Sequence, residues 1–140
     1  MTIKIDTKGL DGLLDKVSRL SPEIDGAVSR AMTDEGLSWR DDVRDNTPVD
    51  TGDLRRSWEL TGPDKKGSKF EMDLANNLEY ALYIEYGHRQ EPGRFVPAIG
   101  KRLKADFVKG HYMLRDGTRR LEESLKPAVQ KEVRKAIESL

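Results

Sequence analysis

The sequence predicts an α+β fold, with N-terminal helices and a long C-terminal helix packed on a small antiparallel β-sheet. Three observations carry that prediction. Apolar residues recur at helical spacing up to about Asp45 and again beyond about Val108. Between those blocks, short runs alternate in polarity around glycine and proline, as the strands of a hairpin do. The resulting order of helix, helix, hairpin, short helix and long helix is that of an α+β domain.

Ile3 and Ile5 alternate with polar neighbours and read as a short strand or extended arm. Residues 9–20 change to a helical period, with Leu10, Leu13, Leu14, Val17 and Leu20 in one stripe. Ser21-Pro22-Glu23 marks a second helix start. Serine caps free amides, proline fits the first helical position, and the carboxylate favours the positive helix end. This helix runs to about Asp45, and Ile24, Ala27, Val28, Ala31, Leu37, Trp39 and Val43 give it a broad apolar face. Gly36 and the drift of that face point to bending or to contact on two sides. Pro48 disfavours helix at Thr47, and Asp50, Thr51, Gly52 and Asp53 supply turn and capping groups.

Residues 57–60 and 69–74 form the hairpin, with a long tip at residues 61–67 and with Phe70, Met72 and Leu74 on one face. Residues 80–87 are aromatic and branched enough for a strand, but continuous apolarity ended by Gly87 favours a short buried helix. Residues 88–97 are rich in breakers and read as an exposed loop or extended arm. In the C-terminal helix, Leu121, Leu125, Ala128, Val129, Val133, Ile137 and Leu140 share one side, with an interruption at Gly117 and a kink or restart at Pro127. The expected organisation is one domain, residues 1–140, with a projecting arm at about 88–105.

Composition narrows the function classes. Lysine plus arginine and aspartate plus glutamate each total 25, so no global basic field draws the chain to nucleic acid or to an anionic membrane. The chain has no cysteine and only 2 histidines, which removes thiolate chemistry and leaves little for metals. No stretch resembles a signal-peptide core or reaches the roughly 20 apolar residues of a membrane span. The expectation is a protein made and used in the cytoplasm, without a membrane partner. Glu85, His88 and His111 invite a catalytic or metal reading, but they lack a paired acidic motif and a nucleophile at workable spacing. Glu85 reads instead as a cap, or as the partner of an arginine such as Arg89 or Arg94. Neither catalytic nor metal residues are assigned, and no cofactor is expected.

The segment Asn46-Thr-Pro-Val-Asp-Thr-Gly-Asp-Leu-Arg-Arg-Ser-Trp58 resembles a motif of the tailed-bacteriophage neck and tail-completion family, whose members are also labelled tail components or minor capsid proteins. Further on, Tyr80-Ala81-Leu82-Tyr83-Ile84-Glu85-Tyr86-Gly87 is similar to that family's Tyr-Ala-x-Tyr-x-Glu-x-Gly signature. His88-Arg89, Gly93-Arg94-Phe95-Val96-Pro97 and Gly110-His-Tyr-Met-Leu114 look like its prophage branch. The motif positions are Pro48, Asp50, Thr51, Gly52, Leu54, Trp58, Tyr80, Ala81, Tyr83, Glu85 and Gly87. In physical terms, Pro48 ends a helix, Asp50 or Thr51 caps a short turn, Gly52 permits unusual backbone geometry, and Leu54 and Trp58 pack inward. Tyr80, Tyr83 and Tyr86 are read as core, although aromatics also anchor interfaces. Arg55 and Arg56 are either a solvated face or a contact for a neighbouring subunit or passing DNA.

The resemblance implies a non-catalytic virion protein that forms a homo-oligomeric ring between portal or connector and tail, or that completes the tail. Arg89, Arg94 and Phe95 on the arm are the expected subunit contacts, because a proline-limited arm loses little entropy on docking. A rival reading is a DNA-binding accessory protein that uses Lys65, Lys66 and Lys69 with Lys101, Arg102 and Lys104. A transient contact with passing DNA fits either reading.

Overall fold

The computed structural model describes residues 1–7, 9 and 22–139. Residues 10–20 of the predicted helix over 9–20, the Ser21 cap and Leu140 lie outside the described residues. The elements are β1 (Thr2–Asp6), α1 (Pro22–Asp45), α2 (Asp53–Arg56), β2 (Trp58–Lys66), β3 (Lys69–Asn76), α3 (Ala81–Tyr86), β4 (Gly87–Arg89), β5 (Phe95–Val96), β6 (Lys101–Arg102), β7 (Phe107–Lys109) and α4 (Met113–Glu138). The architecture is α+β, with a long C-terminal helix.

β1, β3 and β2 form an antiparallel sheet in that order. Strict alternation on β3 buries Phe70, Met72, Leu74 and Asn76 on one face. Ile5 of β1 and Trp58 of β2 join that face. Lys66 stands opposite Lys69, so the hairpin turns at Gly67-Ser68 and the expected long tip does not form. Instead the strands absorb Gly62 and Pro63 in a bulge between Thr61 and Asp64. Proline has no amide for the ladder, which explains its place in a bulge.

Helix α1 is apolar on two sides because it has two partners. Towards the sheet, a side chain at Gly36 would meet Met72 Sδ at 2.9 Å and Leu60 Cδ2 at 3.2 Å, so glycine sets the close approach. Towards α4, a Cβ at Gly117 would meet Val43 Cγ2 at 2.6 Å. Gly117 therefore seats one helix on the other rather than interrupting α4, which runs through both Gly117 and Pro127 as one helix. Trp39 Nε1 donates to Thr118 Oγ1 across this contact at 3.3 Å. Outside it, Arg120 reaches Asp42 at 2.7 Å and Ser124 Oγ donates to Glu35 at 2.6 Å. The bond to Asp42 holds the Arg120 guanidinium above its usual pKa, as the bond to Asp73 does for Lys4 on the sheet. Two apolar assignments shift by one position or face. Leu37 is exposed, and Ala136 rather than Ile137 closes the α4 stripe.

Residues 88–109 are more ordered in pattern than a loop. β4 pairs antiparallel with β7, and β5 with β6, so the segment is a two-tier ribbon. Between the tiers, the Gln90 amide donates to Asp106 O and the Leu103 amide to Arg94 O. Strands of two or three residues are too short for polarity alternation to show in sequence. Every residue from 91 to 109 is exposed except Val96 and Leu103, which are half-buried.

Candidate interaction surface

The first motif closes the end of α1 onto the sheet. Thr47 Oγ1 donates to Val43 O at 2.6 Å and accepts from Trp58 Nε1 at 2.9 Å, within a fully buried pair. Arg44 donates to Trp58 O at 3.0 Å, and Arg55 donates to Thr47 O at 2.9 Å. Arg55 thus satisfies a carbonyl left free past the helix end. Arg56 forms an exposed pair with Asp53 at 2.6 Å. Gly52 precedes α2 at φ +89°, a conformation that favours glycine, and Thr51 Oγ1 accepts from the Asp53 amide at 3.3 Å. Leu54 is buried, and its carbonyl accepts from Asn76 Nδ2 at 2.9 Å.

The second motif forms α3, a helix of 6 residues. So short a helix can bury only a narrow stripe, and here Ala81 and Glu85, four apart, occupy it. Tyr80, Tyr83 and Tyr86, read as core, are instead 43%, 58% and 54% exposed. Leu82 is exposed beside them. The continuous apolarity of this segment therefore makes a surface.

Glu85 holds that surface in place. Its two carboxylate oxygens accept from the Leu114 amide at 2.9 Å and the Arg115 amide at 2.8 Å. Neither Arg89 nor Arg94 is its partner. A buried carboxylate from α3 thereby caps the positive end of α4, whose preceding residue Tyr112 has no side-chain cap and sits at φ +50°. Tyr112 and His111 donate their amides to Glu85 O and Ile84 O, at 3.0 and 2.8 Å. At Gly87, φ is +83° and a Cβ would collide with Val108 O. At Gly110 a Cβ would collide with Glu85 O and lie 2.6 Å from Tyr86 C. Two glycines thus let the base of the ribbon pass directly over the end of α3.

The two motifs meet in space. Pro48, Val49, Asp50, Gly52, Leu54, Tyr80 just before α3 and Ile84 within it are among the walls of an open cleft of about 460 Å³. The sequence places these segments far apart, and only the packing of α3 beside the motif loop brings them together.

Arg89, Arg94 and Phe95 lie on the exposed ribbon, where Phe95 is 51% exposed. The basic residues divide. Lys65 pairs with Asp25 at 2.6 Å and Lys66 with Glu71 at 3.2 Å, on the hairpin with Lys69. Lys101, Arg102 and Lys104 belong to the ribbon, where Arg102 donates to Gly93 O at 2.8 Å. His88 packs edge-on against Tyr83, with ring centroids 5.8 Å apart. Among the described residues, no cluster of three or more His, Asp or Glu side chains could hold a metal ion, and no helix is long and apolar enough to cross a membrane.

The family described as "Bacteriophage HK97-gp10, putative tail-component" matches residues 11–87, more than half of the 140-residue chain. The chain belongs to that family. Both motifs fall inside the match, which ends at Gly87, the first residue of β4, so the rest of the ribbon and α4 lie beyond it. Membership in this phage tail-component family implies a structural role in the virion. No curated protein and no solved structure matches the chain.

Sequence reasoning missed Asn76, the place of Tyr112 at the start of α4 and the tie from Thr47 to Trp58. Asn76 stands at a core position of an alternating strand, and a polar residue there was the available signal. Tyr112 stacks locally under Arg115 at 3.7 Å, but its contacts with Tyr86 and the Glu85 carbonyl come from α3 and leave no local signal.

Proposed function

We propose that the protein is a non-catalytic subunit of the head-tail joining machinery, forming a ring in the neck or completing the tail, and that it works as one domain with the ribbon as its arm. The observation that carries this reading is the exposed aromatic face of α3 next to a ribbon with no buried residue from 91 to 109. Exposed aromatic clusters beside arginine are what interfaces use as anchors. Arg89, Arg94 and Phe95 act as subunit contacts, and the portal or connector and tail proteins are the neighbours of the ring. Negative-stain images of particles lacking the protein test the reading. Full heads and separate tails are expected; normally joined particles would overturn it.

The ion pairs of Lys65 and Lys66 weigh against the DNA-binding alternative, because two of its six basic residues are already matched by carboxylates. A salt-dependent mobility shift with free duplex DNA would revive it.

A further inference from the structure

We infer that the cleft between the two motifs is the receptor for the ribbon tip of a second copy of this chain. The inference rests on the ring reading and specifies its contact. Three observations support it.

The first is chemical complementarity. The cleft walls carry Asp50 and Asp53, and the Arg56 guanidinium lies at the same rim against Thr51, Gly52 and Asp53. Asp53 is engaged by Arg56, whereas Asp50 is exposed and has no ion-pair partner among the described residues. The ribbon, residues 87–109, holds six basic side chains against two acidic ones, with Arg94, Lys101 and Arg102 flanking its tip. The basic tip and the unpaired Asp50 carboxylate at the cleft mouth steer each other into register.

The second is apolar fit. Val49 and Tyr80 at the cleft are 56% and 43% exposed, and Phe95 and Ile99 at the tip are 51% and 59% exposed. A volume of about 460 Å³ accommodates an aromatic side chain. Both halves of the contact are open in the single chain, so the tip is not seated on its own cleft.

The third is geometric. Cleft and tip are different patches, and joining them copy to copy is a heterologous contact, the type that closes into a ring when the rotation permits. An extended ribbon from residue 87 to its turn reaches on the order of 30 Å at roughly 3.3 Å per residue, about the diameter of a small domain. That is enough to cross onto a neighbour.

The chain contains no cysteine, so paired cysteines report the contact without background. Val49→Cys with Ile99→Cys, in one full-length chain assembled into particles and oxidised, should give a ladder of disulfide-linked dimers, trimers and higher multimers. Each single variant should stop at dimers or below. If glutaraldehyde links the same particles into multimers while the cysteine pair gives no ladder, the cleft is not the receptor and the ring reading survives. If neither agent gives multimers, the ring reading fails and this contact with it. Both positions are exposed, and unchanged thermal melts would verify folding. Independently, Asp50→Lys should lower joined particles about tenfold through like-charge contact, and Lys101→Glu in the same chain should restore them. Full joining by Asp50→Lys alone would overturn the proposal.

Discussion

Trp58 and Tyr83 lie in two segments that both fall inside the family match, yet they face opposite ways. Trp58 is 1% exposed and tied to Thr47, whereas Tyr83 is 58% exposed and touches only the ring of His88 among the aromatics. The difference follows from the size of the element that carries each. Trp58 begins a strand in a sheet covered by a helix of 24 residues, which offers a continuous apolar face. Tyr83 sits on a helix of 6 residues that can turn only one stripe inward, and Ala81 and Glu85 already fill it. Aromatic content alone thus does not report burial. The first motif builds the core, and the second builds a surface and fastens it with a carboxylate.

The sharpest way to break this contrast is to truncate both residues. Trp58→Ala should cost about 3–5 kcal/mol of stability, lowering the thermal midpoint severely and removing function through misfolding. Gly110→Ala comes next. Its new Cβ meets backbone that cannot rotate away, and overpacking of this kind typically costs about 1–3 kcal/mol in a denaturant titration. Glu85→Ala leaves two amides of α4 without their acceptor, an expected loss of about 1–3 kcal/mol. Faster hydrogen exchange confined to the first turn of α4 and to α3 would locate that loss. A uniform change would contradict the capping role.

The smallest effects on stability test the surface. Tyr83→Ala should change stability by less than about 0.5 kcal/mol, as exposed substitutions do, while reducing head-tail joining. The combined change Arg94→Ala with Phe95→Ala should leave the melt nearly unchanged and abolish joining in a complementation assay. A large drop in melting temperature for either variant would erase the division between core and surface.

Much of the frame was legible from local patterning. β1, α1, the hairpin, α3 and the long α4 follow from period, breakers and caps acting over a few residues. The tight turn at Gly67-Ser68 was not legible, because the bulge at Gly62-Pro63 looks in sequence like the loop itself. The paired ribbon escaped notice for a similar reason, since breakers outnumber its strand residues. Of the site, the residues were identifiable but not their directions. Glu85 read as a cap without the helix it caps, and Tyr80, Tyr83 and Tyr86 read as core.

The sequence by itself determined the class of fold, the place of the two motifs along the chain, and the lack of cysteine and scarcity of histidine, since each depends on residue type and short-range spacing. Only the tertiary structure decided which motif residues face solvent, that Glu85 crosses from α3 to cap α4, and that loop and helix combine into one largely apolar cleft with Asp50 at its edge. The physical reason is separation along the chain. Capping, burial and cleft formation join residues about 30 positions apart or more, as Glu85 with Arg115 or Asp50 with Tyr80, and their geometry exists only once the layers have packed.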